Sequence, residues 1–380
     1  MHRLVRRSHL LVRLPQRRWL SGPTMAPDPT PPGPEPLPEP AGSGFAALAS
    51  RRLLWMEGPD AAKFLQGLIT ANVFGSDGQP RRDAFYTGFL NATGRVLHDA
   101  FIYPTSGPFQ AGSDGYLVEA DAAHIVGLAR YMRRYKLRAR VQVRDLSPDE
   151  ASVWQAWDDS GDGTATSTAA KSSGSLVLED PRAPGLGHRI VKAGDASPTA
   201  LPLERRSEGA YTLRRILAGV PEGQDELVSA QALPLESNMD VMNGIDFRKG
   251  CYVGQELTIR TRHRGVVRKR ILPCVVYHGS EPMELAYEPD QSSDVPRDTS
   301  IGRFGKKGRS AGKWLRGVGN VGLGLCRLEI MTDVVLPGEQ AAATYRAGDE
   351  FVVEWGQGRS AKVKAFVPDW LRRALDEPRR

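Results

Sequence analysis

Three short apolar runs separated by glycines and polar residues dominate the last third of the chain. They are rich in Val, Ile and Leu and lie at Val266–Val276, Gly317–Ile330 and Phe351–Val367. Short β-branched runs punctuated by turn residues are typical of antiparallel strands. The sequence therefore predicts a C-terminal antiparallel β-barrel over residues 266–380, interrupted by a polar insertion at about 288–312.

The preceding part, residues 45–265, mixes strand and helix signals. Arg52–Trp55 has the composition of a short strand, and the turn Asn91–Gly94 joins two apolar runs into a hairpin over 83–103. Residues 158–174 are rich in Gly, Ser, Thr and Ala, so we expect a surface insertion with little to bury. Three segments have helical signals: 60–65, 121–135 and 208–218. Strand pairs and helices followed by an all-β part indicate an α+β fold.

The first residues have a different composition. Residues 1–27 contain six arginines, no lysine and no acid, and Leu and Val are interspersed among them. This pattern is typical of a mitochondrial transit peptide, the alternative being a disordered basic arm. We expect cleavage near Leu20/Ser21, which gives a transit peptide at 1–20 and delivery to the mitochondrial matrix. Residues 21–44, with nine prolines between Pro23 and Pro40, predict an extended linker.

Net charge bears on the class of partner. The formal charge of the whole chain is +7. Without the six arginines of residues 1–27 it is 7 − 6 = +1, so overall charge gives no reason to expect a nucleic-acid partner. No run approaches the ~20 apolar residues of a membrane span.

The chain has only three cysteines, Cys251, Cys274 and Cys326. An odd, dispersed set excludes a disulfide scaffold and a self-contained zinc finger. Cys251 lies in the stretch KGCYVGQE, between Gly250 and Gly254 and two residues after Lys249. A nearby cation favours ionisation of a thiol, so a functional thiol is one interpretation; a small buried hydrophobe is the other. Three dispersed cysteines make a self-contained iron–sulfur cluster unfavourable, so any cluster here is shared with another protein.

A basic run follows this stretch. If residues 260–264 form a strand, Arg260, Arg262 and Arg264 share one face. Such a face could receive a polyglutamate tail, a phosphate backbone or an acidic partner, or it could simply be solvated.

The octapeptide and its surroundings resemble the YgfZ family, whose fold is related to the folate-dependent aminomethyltransferase of the glycine cleavage system. Further stretches in the family's order cover nearly all of 45–367. The matching stretches are Leu235–Asn238, Asn243–Phe247, Lys249–Glu256, Gly58–Ala61, Phe64–Gly67, Leu90–Val96, Asp180–Arg182, Gly219–Gly223 and Gly322–Arg327. With the transit-like start, the chain is most similar to the mitochondrial branch of the family.

The resemblance implies a ring of ferredoxin-like and related α+β units around a central folate-type pocket, followed by the β-barrel. It also implies a role in maturing [4Fe–4S] proteins together with A-type scaffold proteins. In this hypothesis Cys251 is a shared cluster ligand or functional thiol. The motif residues around it are Lys249, Gly250, Tyr252, Gly254, Gln255 and Glu256.

The alternative is a tetrahydrofolate-dependent one-carbon transferase, with Asp99 as a catalytic acid. Asn238, Arg260, Arg262 and Arg264 would then belong to the folate or anion pocket. Two departures from the aminomethyltransferases weaken it: His98-Asp99 keeps half of an acid pair, and Leu217 replaces a folate-contacting glutamate. A leucine side chain cannot accept hydrogen bonds from a pterin. The sequence therefore favours an iron–sulfur assembly factor over a turnover enzyme.

Overall fold

The computed structural model describes residues 37–105, 109, 115–161, 164–172, 174–198, 201–291, 294–305, 308–336 and 345–376. The predicted transit peptide at 1–20 and residues 21–36 of the predicted linker lie outside this part of the chain. Within it, no helix has the length and apolar character needed to cross a membrane.

Five antiparallel strands form the first sheet, in the order β3-β4-β5-β2-β6. The strands are β2 Arg51–Glu57, β3 Phe85–Leu90, β4 Val96–Pro104, β5 Gly115–Asp121 and β6 Gln142–Asp145. The predicted hairpin is present as β3 and β4, with Phe89 opposite His98 and Gly88 opposite Asp99. The side chain of Asp60 does not cap the following helix as its position suggests, because its carboxylate bonds Arg140 instead.

A second antiparallel sheet has the order β1-β7-β9-β8. Its strands are β1 Ser43–Ala47, β7 Ala151–Asp158, β8 Leu176–Glu179 and β9 His188–Ala193. The first strand begins two residues before the expected boundary at 45, since Ser43 pairs with Asp158 and Gly44 pairs with Trp157.

The predicted surface insertion at 158–174 contains a packed helix, which is a correction. Helix α3, Thr164–Ser172, lies against β8 and β9. Thr166 and Ala170 are buried, and Ala170 packs in a cluster with Trp154 and Ile190. Small residues gave little hydrophobic signal, but small size lets this helix approach the sheet closely.

Six strands close into the C-terminal barrel, which confirms the predicted architecture. They are β10 Lys269–Tyr277, β11 Ser300–Arg303, β12 Gly312–Val318, β13 Val321–Arg327, β14 Phe351–Trp355 and β15 Arg359–Ala365. The expected insertion at 288–312 is only partly an insertion, because β11 lies within it and joins β12 to β14. The side chain of Ile301 is completely buried there.

Helices connect and cover the sheets. They are α1 Ala61–Gln66, α2 Ile125–Tyr135, α3 Thr164–Ser172, α4 Glu208–Leu217, α5 Gln255–Arg264, α6 Leu328–Met331 and α7 Asp369–Asp376. The predicted helix at 121–135 is present as a 3-10 turn followed by α2. The predicted helix at 208–218 is present as α4. Ser207 caps α4 by accepting a hydrogen bond from the amide of Ala210, as N-cap serines do.

Candidate functional site around Cys251

Cys251 is exposed and borders an open groove of about 700 Å³. The loop before α5 and one face of α5 line this groove. Its lining residues are Lys249, Gly250, Cys251, Gln255, Glu256, Ile259, Arg260 and His263. The structure thus places the thiol at an accessible surface, where a group from a second molecule can reach it.

Lys249 anchors the loop that carries Cys251. Its Nζ donates to three backbone carbonyl oxygens at and just after the end of α1: those of Gln66 at 2.9 Å, Ile69 at 2.6 Å and Ala71 at 2.8 Å. Burial lowers the pKa of the Lys249 ammonium to about 7, and the negative charge of Asp246 acts in the opposite direction. The sequence suggested that Lys249 acts on the thiol, but its ammonium is directed at these carbonyl oxygens and positions the loop.

Two glycines bring the Cys251 loop against the β3–β4 turn. Gly94 and Gly254 both have left-handed backbones, with φ of +79° and +78°. A Cβ on Gly254 would lie 2.2 Å from the carbonyl oxygen of Asn91, and one on Gly94 would lie 2.8 Å from the carbonyl oxygen of Gly254. Only glycine fits such a contact without strain. The turn Asn91–Gly94 and the octapeptide Lys249–Glu256, which are separate motifs in the sequence, therefore pack directly against each other.

Tyr252 forms the buried side of the same loop. Its side chain packs in the main hydrophobic core, and burial raises the pKa of its hydroxyl to about 12. Its backbone amide donates to Oε1 of Gln255 at 3.3 Å, and the Lys249 ammonium lies 5.0 Å from its ring centroid. With Tyr252 turned inward, the neighbouring Cys251 is turned outward.

Residues 260–264 do not form the strand that a shared arginine face requires, because they are part of helix α5. The helix begins after Gly254, and the Thr261 hydroxyl bonds the carbonyl oxygen of Leu257 one turn earlier. In a helix, residues two apart lie on different faces. The three arginines therefore do not form one row: Arg260 lines the groove, Arg262 lies 4.8 Å over the ring of Phe247, and the Arg264 side chain is outside the described part.

The helical geometry adds two groove residues that sequence reasoning missed. Ile259 and His263 follow Glu256 at spacings of three and seven residues, which places all three on one face of α5. The spacing of three and seven residues fits the 3.6-residue period of a helix and was the sequence signal for this face. The arginines at alternate positions, which suit a strand, concealed it.

Asn238 lies elsewhere, in a structural role. It is completely buried with φ of +61°. Its Nδ2 donates to the carbonyl oxygen of Ile271 at 2.7 Å, and its Oδ1 accepts from Arg270 at 3.2 Å. These bonds tie the segment before the octapeptide to strand β10, so Asn238 does not line the Cys251 groove.

Asp99 is also absent from the groove lining and belongs to a buried ion-pair network between the two sheets. Its Oδ2 accepts from Arg51 at 3.1 Å, and its Oδ1 accepts from the amide of Gly223 at 3.1 Å. Arg51 also donates to Glu119 at 2.9 Å. Both oxygens of Asp99 are thus engaged, and the residue is fully buried.

The other half of this network centres on Glu222. One of its oxygens accepts hydrogen bonds from Arg182 at 2.7 Å, Arg189 at 2.5 Å and the Tyr211 hydroxyl at 2.7 Å. Burial opposes ionisation of Glu222, but the arginines, Arg189 first, hold its pKa well below the usual value. The carboxylates of Asp99 and Glu222 are therefore both held in buried ion pairs.

The two remaining cysteines are buried inside the barrel. Cys274 on β10 and Cys326 on β13 have Sγ atoms 3.7 Å apart. The hydrogen bond with Cys274, together with burial, raises the pKa of the Cys326 thiol well above its usual value. A raised pKa disfavours the thiolate, which is the form that binds metal. Cys274 and Cys326 therefore have the properties of buried core side chains.

Comparison with known proteins agrees with this architecture. Residues 268–373 match the CAF17 C-terminal beta-barrel domain, a span that includes β10 to β15. Among solved structures, the chain is similar to the glycine cleavage system aminomethyltransferase T from Bartonella henselae, with a TM-score of 0.61 over 88% of this chain and 87% of that one. At 12% identity this likeness establishes the fold alone.

Sequence relatives are much closer. A protein of Pyricularia oryzae, named iron-sulfur cluster assembly factor IBA57 homolog, mitochondrial, is 54% identical, covering 88% of this chain and 86% of its own length. Proteins of the same name from Chaetomium globosum and Neurospora crassa are 50% and 46% identical, covering 95% and 87% of this chain and 89% and 81% of their own. The resemblance inferred from the sequence is confirmed: the chain belongs to the IBA57 family of iron–sulfur cluster assembly factors.

Proposed function

We propose that this protein is a mitochondrial iron–sulfur cluster assembly factor that supports maturation of [4Fe–4S] proteins by sharing a cluster with an A-type scaffold protein. Membership of the IBA57 family supports the general role. The observation that carries the specific mechanism is the exposed Cys251 thiol at the edge of the groove.

Cys251 is the cysteine suited to this task. It is exposed, whereas Cys274 and Cys326 are buried inside the barrel. A cluster bound to a second protein can reach Cys251 in the folded chain, whereas Cys274 and Cys326 are covered by the barrel. The anchoring of the loop by Lys249 and the Gly94–Gly254 contact preorganise the thiol, which lowers the entropic cost of forming the Fe–S bond.

The remaining cluster ligands come from the partner in this proposal. Within the described ranges, no group of three or more His, Cys, Asp or Glu side chains is arranged to hold a metal ion. An iron–sulfur cluster needs about four ligands, usually thiolates. One accessible thiol therefore supports a shared cluster, which is cargo held between two proteins.

The alternative, tetrahydrofolate-dependent one-carbon transfer, receives less support from the geometry. Asp99 is closed off from solvent and bonded to Arg51 and Gly223. Asn238 bonds the backbone of β10, and Arg260 lines the Cys251 groove, whose lining includes neither Asp99 nor Asn238. A transferase would need these residues around one substrate, and they serve three separate environments.

An anaerobic mixing experiment distinguishes the two functions. The chain without residues 1–20 is combined with an A-type scaffold protein carrying a reconstituted cluster, and the complex is isolated by gel filtration. We expect a heterodimer with visible iron–sulfur absorbance. A parallel titration with tetrahydrofolate tests the alternative: micromolar binding with aminomethyl turnover, and no cluster-dependent complex, would reverse the assignment.

The proposed location in the mitochondrial matrix has its own test. Protein isolated from the matrix should lack residues 1–20, so N-terminal sequencing should read a start near Ser21. Recovery of the intact arginine-rich segment from matrix protein would contradict import with cleavage.

A further inference from the structure

A strongly basic surface lies on α2 and the loop after it. The 23 residues from 122 to 144 contain seven arginines and lysines and no acid. Two of the cations are neutralised, Arg140 by Asp60 and Arg144 by Glu150. Within the part of the chain that the structure describes, the other five have no carboxylate partner. We call these five the basic face: Arg130, Arg133, Arg134, Lys136 and Arg138.

This concentration of charge is not explained by folding. The buried side of α2 consists of apolar residues, Leu128 and Met132 among them, and Arg130, Arg134 and Arg138 point to solvent. Residues 28–380 carry a net charge of only 7 − 6 = +1, so the basic face is balanced by acids located elsewhere. Five like charges on neighbouring turns repel one another, a cost that an anionic partner removes.

An apolar side chain projects from the same face. Leu137, between Lys136 and Arg138, is 90% exposed, and its φ of +41° is unusual for a residue with a branched side chain. Val126, one turn before Arg130, is 58% exposed. Leu137 and Val126 add exposed apolar surface beside the cations.

The basic face adjoins the Cys251 loop. The Tyr131 hydroxyl of α2 donates to the carbonyl oxygen of Leu90 at 2.9 Å. Gly254 also packs against Leu90, since a Cβ on Gly254 would lie 3.0 Å from the Leu90 Cβ. The helix and the loop are therefore separated by one residue at the end of β3.

Interface size connects the two features. A stable protein–protein interface covers about 800 Å² on each partner, which as a disc has a radius of roughly 16 Å. A protein that presents a cluster to Cys251 covers a surface of that extent around the thiol. Since α2 contacts Leu90, against which the Cys251 loop packs, we expect an interface of that extent to reach the basic face.

We infer that the basic face is the electrostatic docking surface for the protein that shares its cluster with Cys251, and that this partner carries a complementary acidic patch. The inference rests on the proposed function and adds the chemistry of the partner's surface. A thiolate-ligated cluster is itself anionic, so the cations also attract the cargo. Charge complementarity of this kind mainly raises the association rate.

The exposed cations of α2 could also contact an anionic lipid surface, but continuity with the Cys251 loop favours a protein partner. A lipid surface offers no iron ligand for Cys251. The same charge-reversal variants distinguish the two, because they can be tested against vesicles as well as against the partner.

The test measures association rates by stopped flow between this protein and a cluster-loaded A-type scaffold, over a series of salt concentrations. We expect Arg130→Glu/Arg134→Glu to lower the association rate at low salt by about tenfold or more, and to approach the wild type at about 0.5 M salt, where charges are screened beyond a few ångströms. Arg130→Glu alone should slow association less than the double variant does, and Arg373→Glu, which reverses one exposed cation on α7, is its charge-matched control and should behave as the wild type.

Cluster absorbance at saturating partner reports the proposed function separately. It should be unchanged in Arg130→Glu/Arg134→Glu, since Cys251 is intact. Equal rates for this variant and the wild type at every salt concentration would overturn the inference, as would equal slowing by Arg373→Glu. So would loss of binding to vesicles of phosphatidylcholine and phosphatidylglycerol with no change in the partner's association rate, which would assign the face to a membrane.

Discussion

Replacing Gly254 with alanine tests whether the Cys251 loop depends on its contact with the β3–β4 turn. An alanine at φ of +78° costs about 1–2 kcal/mol in backbone strain. Its Cβ would also lie 2.2 Å from the Asn91 carbonyl oxygen, and overpacking of this kind costs about 1–3 kcal/mol. The free energy of unfolding should therefore fall by about 2–5 kcal/mol.

Differential scanning fluorimetry gives the readout, with Gly250→Ala as the control. For a chain of this size, 1 kcal/mol lowers Tm by roughly 1.5 °C, so Gly254→Ala should melt about 3–7 °C below the wild type. A methyl group on Gly250 would meet no atom within 4 Å, and the backbone there is not left-handed, so Gly250→Ala should leave Tm nearly unchanged. A Gly254→Ala protein that melts with the wild type, or an equal drop in Gly250→Ala, would refute the reasoning.

Three further predictions concern stability. Burial lowers the pKa of His98 to about 4 in the folded protein, whereas in the unfolded chain it is near 6.5. Between these values the unfolded chain binds more protons, so about 3 kcal/mol of stability is lost as the pH falls from about 6.5 to 4. Urea melts over this pH range should show a smaller loss in His98→Gln. Glu222→Gln should lower the free energy of unfolding by about 3–5 kcal/mol, because it leaves buried arginines without a compensating charge. The control Glu204→Gln, at an exposed ion pair, should lower it by under about 1 kcal/mol. Equal urea midpoints for the two variants would contradict this prediction. Deleting 161–174 should lower Tm, since α3 buries Thr166 and Ala170; an unchanged melting curve would restore the view of a loose surface insertion.

Local signals in the sequence were sufficient for the elements that depend on local chemistry. The turn at Asn91–Gly94 and the helix at 208–218 carry their own turn, capping and periodicity residues, and both are present as predicted. The barrel runs were also evident, since each strand is long enough to show its apolar face. Strand β11 was not evident, because it has four residues and its pairing with β12 and β14 arises only when the barrel closes.

The candidate site was predicted in part. The octapeptide identified Cys251, Lys249 and Gly254, because glycines and a cation around one cysteine are a local pattern. The conformation of α5 was missed, since arginines at alternate positions imitate a strand while the left-handed Gly254 and the packing of Leu257 against Gly94 set the helix. The central ion pairs join groups distant in sequence, such as Arg182 and Glu222, and distant pairs leave no local signal.

The most direct test of the central claim is the visible absorbance, per heterodimer, of the cluster-bridged complex with an A-type scaffold. Cys251→Ser should remain folded, because the exposed side chain changes by one atom, and should lose the cluster-bridged complex, since a hydroxyl is a much poorer ligand for iron than a thiolate. Cys274→Ser, at a buried thiol of the barrel, should lower Tm and keep the absorbance per folded heterodimer. Undiminished absorbance in Cys251→Ser, or an equal loss in folded Cys274→Ser, would contradict the assignment of Cys251 as the shared ligand.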